Sequence, residues 1–210
     1  VVTSLKSGIR DLLEGPDPRP RTAPARRTPP PALSGPALTD KYLMQQVALL
    51  RPKGSIIVEE APSSRAAMHD YLPIIDRDGF YTCASGGLGH GLPAAIGIAL
   101  ARPREKVIAL LGDGSSMYAI QGLWSAAQLG VGVTFVIIKN QRYEALLEFG
   151  RYFGLQRTVG TSLPNIDFCA LARSQGVKAI SVDRCEALDD ALRDAFAATA
   201  EPSLVEVSID

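Results

Sequence analysis

Cysteine is scarce: Cys83, Cys169 and Cys185 are odd in number, far apart and form no CxxC pair. A disulfide framework and a paired-cysteine zinc site are therefore excluded. Neither sign of charge is in excess, since 22 Lys and Arg balance 22 Asp and Glu. Without clustered cations there is no footprint for nucleic acid or another polyanion. Long apolar runs are also lacking: none approaches the ~20 residues of a membrane-spanning helix, and Val1 opens no recognisable signal peptide. A cytoplasmic protein with reduced thiols is the expectation. What remains, 46% hydrophobic and 21% charged residues over 210 positions, is ordinary for a globular domain, with room for one domain and a piece of another.

Proline is concentrated in one place. Eight of the fifteen prolines fall between Pro16 and Pro36, interleaved with Arg19, Arg21, Arg26 and Arg27. That density removes backbone donors and forbids a helix, so residues 15–36 read as an extended, semi-rigid linker. Before it, Leu5, Ile9, Leu12 and Leu13 recur at helical spacing, in a segment too short to bury a face unaided. Residues 1–14 are expected to be the tail of a preceding domain, with a disordered extension as the competing reading. From 37 to 210 the pattern is regular. Helical stretches at 38–50, 92–101, 117–129, 167–175 and 186–198 alternate with apolar strands at 55–60, 80–84, 106–111, 133–138, 177–182 and 203–208. This alternation predicts an α/β fold, a doubly wound and mostly parallel sheet with helices on both faces. Continuous apolar strands fit a sheet covered on each side.

Ligands of such sheets bind beyond the carboxyl ends of the strands, and two loops there are unusual: GDGSS (112–116) and KNQRY (139–143). They flank one strand–helix–strand crossover, and successive strands commonly lie side by side, ~4.8 Å apart. Asp113 and Asn140 are therefore expected to face one another. A carboxylate and an amide oxygen are hard ligands suited to Mg²⁺ or Ca²⁺, and the Arg142 carbonyl is placed to add a third. Gly112 and Gly114 let the backbone turn tightly against a ligand, while the amides of Ser115 and Ser116 at a helix start suit a diphosphate. Gly-Asp-Gly also makes ordinary turns; the spacing to Asn140 favours the metal-bridged diphosphate. A third stretch, SGGLGHGLPAAIG (85–97), has five glycines in thirteen residues without the GxGxxG order of a dinucleotide fingerprint. Gly86 and Gly87 there let bare backbone run past a flat ligand, with Leu88 projecting from the turn.

GDG followed after 24 residues by Lys139 and Asn140 closely resembles the thiamine diphosphate motif, which opens with GDG and ends in two asparagines. Lys139 stands in place of the first. With ASGGLGHGLPAAIG, GDGSSMYAIQGLW, the stretch from Tyr143 to Leu146 and the closing PSLVEVS, the chain from about residue 55 onward is similar to the C-terminal, diphosphate-binding domain of thiamine diphosphate-dependent enzymes. Among these it most resembles the 2-oxo acid decarboxylases of the benzoylformate decarboxylase kind. The resemblance implies Mg²⁺ held by Asp113, Asn140 and the Arg142 carbonyl. It places backbone groups of Gly112, Gly114, Ser115 and Tyr143 on the diphosphate, with Ser63 approaching it; an ordinary turn serine is the other reading of Ser63. Leu88 becomes the apolar wedge that bends the cofactor, or else a packed loop leucine. The Gly86 carbonyl accepts a hydrogen bond from the aminopyrimidine. Thr82, Leu146 and Phe149 fall in the substrate pocket, although Leu146 and Phe149, at i and i+3 on a helix, also suit core packing.

The same resemblance implies a small 2-oxo acid substrate, a pyrimidine-binding N-terminal domain from the same or another subunit, and a homodimer or homotetramer. The family's activating glutamate and histidines lie on that other domain. The acid–base residues are thus expected outside this chain, which alone is expected to lack decarboxylase activity. His90 is the remaining acid–base candidate, at a position where the family has an apolar residue; His69 reads as a helix-surface residue. Two other readings stand beside this one. One is a carboligase of the acetolactate synthase kind, or an oxalyl-CoA or indolepyruvate decarboxylase, with the same cofactor. The other is a non-catalytic α/β module that has lost the cofactor. Lys139 favours the latter, because a cation beside a Mg²⁺ site is unwelcome unless it points away or meets phosphate.

Overall fold

The computed structural model describes residues 4–15, 22, 28, 30–34 and 37–209. Helix α1 (Leu5–Leu13) is capped by the Ser4 hydroxyl and buries none of its residues. The Pro/Arg-rich stretch expected over 15–36 lies largely outside the described residues. Its end is held to the body, because the backbone of Leu33 exchanges two hydrogen bonds with the Gln45 side chain, at 2.7 and 3.0 Å. Gln45 belongs to α2 (Asp40–Leu50), which starts where the Thr39 hydroxyl accepts the Tyr42 amide.

There follow β1 (Ile56–Glu60), a 3₁₀ turn (Pro62–Ser64), α3 (Arg65–Tyr71), β2 (Phe80–Thr82), α4 (Gly91–Ala101), β3 (Val107–Gly112) and the single turn α5 (Asp113–Ser116). Beyond it come α6 (Gly122–Leu129), β4 (Val133–Lys139), α7 (Glu144–Tyr152), α8 (Phe168–Ser174), β5 (Lys178–Val182), α9 (Cys185–Ala197) and β6 (Ser203–Ser208). The strands form one sheet in the order β2-β1-β3-β4-β6-β5, parallel at every pairing. The expected doubly wound α/β architecture is the one observed. Among the described residues no helix is long and apolar enough to cross a membrane.

Strand residues alternate between two cores. Ile57, Ile108, Leu110, Val136, Val205 and Val207 face α2, α3 and α9. Ile56, Val58, Val107, Ala109, Phe135 and Leu204 face α4, α6 and α8. Both faces of β3 and β4 are dry, which is why these strands read as nearly continuous apolar runs.

One element differs from expectation. The helix predicted over 117–129 is split, and residues 117–121 are turns before α6 begins at Gly122. Bonds of the i to i+3 kind run through this stretch, such as Tyr118 N–H to Ser115 O and Ala119 N–H to Ser116 O, tightening the coil. The turn delivers Gly122 against α4, where a Cβ would lie 2.6 Å from Leu92 Cδ2. Helical periodicity alone does not register such an offset.

Gly132, at the entry to β4, meets the connection from α9 to β6 so closely that a Cβ would sit 2.1 Å from the Thr199 carbonyl oxygen. Backbone cannot swing aside as a side chain can. Gly132→Ala is expected to cost about 1–3 kcal/mol through overpacking, read as a lower denaturant midpoint at an unchanged m-value.

Candidate functional site

The strand order reverses between β1 and β3. The chain steps outward from β1 to β2, then returns to β3 and proceeds to β4 on the other side. Ligand sites of open α/β sheets form beyond the carboxyl ends of strands at such a switch. A cavity of about 440 Å³ lies there, lined by residues that follow β1, β3 and β4, a size suited to a small organic ligand.

At its base is Asp113, 3% exposed. The register of β3 against β4 pairs Gly112 with Ile138, which brings the first turn of α5 beside residues 140–141. One Asp113 carboxylate oxygen accepts the Gly114 amide at 2.8 Å, and the other accepts the amides of Asn140 at 3.1 Å and Gln141 at 2.6 Å. Burial pushes the carboxyl above the usual aspartate range, against the pull of those three amides and of the Lys139 ammonium. Three backbone amides use most of the carboxylate's acceptor sites, leaving capacity on the oxygen that holds only the Gly114 amide.

The loop after β4 is braced from outside. Gln141 takes a left-handed φ of 58°, an uncommon conformation for a side-chain-bearing residue, kept where the surroundings over-determine it. Those surroundings are the Tyr143 amide on Thr161 O at 2.8 Å and the Leu163 amide on Gln141 O at 2.7 Å. The Asn140 side-chain oxygen accepts the Arg142 amide at 3.1 Å. Across the gap, the Tyr143 ring lies against Gly114, where a Cβ would come within 2.4 Å of it; no larger residue fits.

Of the residues singled out from sequence, Ser63, Gly86, Leu88, Gly112, Asp113, Gly114, Ser115, Arg142, Tyr143, Leu146 and Phe149 line this one cavity. Leu146 and Phe149 are 53% and 61% exposed, so they do not serve the core of this chain. Asn140 contributes its backbone to Asp113 but is not in the cavity wall. Thr82 is not brought there either, and its hydroxyl donates to Glu59 Oε2 at 2.9 Å. His90 is exposed at the start of α4, outside the wall, and His69 is exposed on α3.

Tyr118 and Glu144 also line the cavity and were not singled out. Tyr118 gets there through the turns that replace the expected helix, a signal absent from periodicity. Burial raises the Glu144 carboxyl, but Arg142 and Arg151 outweigh it and hold the group below its ordinary value.

Lys139 turns sideways, toward β6. Its ammonium is 3.2 Å from Glu206 Oε2, while Glu206 also accepts the Phe168 amide at 3.0 Å and the Ser181 hydroxyl at 2.8 Å. The cation that argued against a metal is thus neutralised one strand away. Asp167, Cys169 and Glu206 lie close enough to share an ion, but Glu206 is already committed and Asp167 caps α8, so this group is structural.

A family model described as the thiamine pyrophosphate enzyme C-terminal TPP binding domain matches residues 62–207. The benzoylformate decarboxylase of Pseudomonas aeruginosa is 40% identical over 201 residues, covering 95% of this chain and 38% of that protein. A putative acetolactate synthase large subunit of Mycobacterium tuberculosis is 34% identical, over 89% of this chain and 38% of that protein. Among solved structures, a thiamine diphosphate-dependent 4-hydroxybenzoylformate decarboxylase from Rhodococcus jostii superposes with a TM-score of 0.84 at 36% identity, over 96% of this chain and 38% of that one. The chain therefore spans less than two-fifths of the length of these relatives.

Breaking the Lys139–Glu206 pair leaves a cation poorly solvated between β4 and β6. Glu206→Gln is expected to destabilise the domain by about 3 kcal/mol or more, and Lys139→Met with Glu206→Gln together by less than the sum of the single changes, in a thermal double-mutant cycle.

Proposed function

The chain belongs to the thiamine pyrophosphate (thiamine diphosphate) enzymes, as their C-terminal TPP-binding domain, and from that premise we propose that it is the diphosphate- and metal-binding part of a 2-oxo acid decarboxylase of the benzoylformate decarboxylase kind. The observation that carries the site is the buried Asp113 carboxylate joined to the 140–141 amides across adjacent strand ends. Asp113, the Arg142 carbonyl and the Asn140 side-chain oxygen, which in this structure accepts the Arg142 amide, are hard oxygens of the kind that would hold Mg²⁺. The Ser115 amide at the first turn of α5, where the Gly114 amide is already held by Asp113, would suit the cofactor's diphosphate, with Tyr143 and Ser63 nearby. Gly112 and Gly114 keep the floor bare, as the crowding of the Tyr143 ring on Gly114 requires.

The bound cofactor supplies an electron sink for the pair left behind when a 2-oxo acid loses carbon dioxide. The chain's own residues bind, orient and exclude water. Leu88 and Gly86 line the cavity, where Leu88 would pack against the ring portion of the cofactor and the Gly86 carbonyl would accept a hydrogen bond from the aminopyrimidine. Leu146 and Phe149 present an apolar wall toward the substrate, in keeping with an aromatic 2-oxo acid and with the substrates named for the relatives. Proton transfer falls to residues of a pyrimidine-binding domain that closes on this face, on the same or another subunit of a homo-oligomer. The exposed apolar side chains of Leu146, Phe149, Tyr152 and Phe153 suit such a covering surface, and this stretch of chain alone would lack turnover. The cysteines, which form no disulfide, accord with a cytoplasmic setting. A carboligase of the acetolactate synthase kind is the second reading, favoured by the 34% identity to one such subunit.

Two measurements test the proposal. On the intact protein, thiamine diphosphate with Mg²⁺ should raise the melting temperature, and Asp113→Ala or Asn140→Ala should weaken that binding by roughly 100-fold. Binding in neither wild type nor variants would make the domain a module without its cofactor. Benzoylformate should yield benzaldehyde and carbon dioxide; a predominant acetohydroxy acid product from pyruvate would instead select the carboligase.

A further inference from the structure

Glu60, the last residue of β1, is 5% exposed. Its Oε1 accepts the Gly89 amide at 2.7 Å, and its Oε2 accepts the Gly91 amide. These partners are 29 and 31 residues away in sequence, so the carboxylate reaches from the sheet to the glycine-rich loop.

Gly91 opens α4, whose N-cap residue His90 makes no side-chain cap. Helix starts leave amides unsatisfied and carry partial positive charge, and Glu60 supplies both acceptor and charge from another strand. The fit is specific to glycine: a Cβ on Gly91 would lie 2.8 Å from Glu60 Cβ and 2.9 Å from Leu111 Cδ2. Gly89, with φ of 90°, takes a conformation that glycine adopts without strain. The loop is thus pinned immediately after Leu88, and Leu88 and Gly86 line the cavity while Glu60 does not.

We propose that Glu60 is a positioning residue that sets the glycine-rich loop, and with it Leu88 and the Gly86 carbonyl, at the height where the ring half of the cofactor is held. It rests on the cofactor reading above and adds a division of labour to it. The tips of β3 and β4 hold the diphosphate and metal, whereas β1, through Glu60, governs the rings.

Glu60→Gln keeps the shape but replaces one oxygen by an NH₂ facing a backbone N–H. Only one of the two amides can then be satisfied. Two ligands are titrated onto the intact protein in Mg²⁺: thiamine diphosphate and inorganic pyrophosphate. Glu60→Gln should weaken thiamine diphosphate by about 10-fold and leave pyrophosphate within about twofold. Glu60→Asp, which keeps the charge on a shorter arm, should show the same split at smaller size, and it decides the matter if the glutamine variant does not fold. Equal loss for both ligands reduces Glu60 to a plain helix cap and overturns the proposal, as does unchanged affinity for both. Wild-type protein that binds pyrophosphate but not thiamine diphosphate overturns the cofactor reading itself, and this inference falls with it.

Discussion

A carboxylate buried at the end of β3 and bonded to amides beyond the end of β4 ties together the two central strands of the sheet. Asp113 is held by three backbone N–H groups, and that arrangement exists only because β3 and β4 are adjacent, parallel and in the register that sets Gly112 beside Ile138. Burial opposes its ionisation, while the amides and the Lys139 ammonium favour it. Burial prevails, raising the carboxyl's pKa, and the group sits at the floor of the cavity with only backbone amides bonded to it. The braced loop at 140–143, the bare glycines at 112 and 114 and the clamp of Tyr143 all follow from keeping that group accessible.

Around this floor, buried charge is used to fix geometry. Glu59 binds Arg65, the Ala61 amide and the Thr82 hydroxyl, joining the ends of β1 and β2 to α3. Glu60 binds the glycine-rich loop, and Glu206 binds Lys139, Phe168 and Ser181. Each carboxylate finds several donors, which is the condition for tolerating such groups in a low-dielectric interior. The outcome is a set of strand tips tied by buried carboxylates to the loops and helices around them.

The cavity's outer wall is apolar and exposed. The side of α7 carrying Leu146, Phe149 and Tyr152 is exposed and apolar, and so are Tyr118 and Trp124 near α6. The chain spans 38% of the length of its relatives.

Much of this was legible in the sequence. Alternating apolar strands and helices specify a covered parallel sheet, because a strand dry on both faces is mostly apolar. Polar residues such as Glu59, Glu60 and Glu206 are tolerated where donors meet them. The GDG-to-Asn140 spacing places Asp113 and Asn140 at neighbouring strand ends, because a strand–helix–strand unit returns the chain to the adjacent strand. Tertiary structure alone decided the fate of Lys139, whose partner Glu206 is 67 positions away, the turn that carries Tyr118 into the cavity, and the exposure of Leu146 and Phe149, which periodicity could equally assign to a core. Glu60 belongs to the same group: its role is set by amides 29 and 31 residues on. Local patterns report which face of an element is dry, since that depends on the residue's own chemistry. Which distant donor a buried charge meets depends on the packing of whole elements, and no local pattern encodes that.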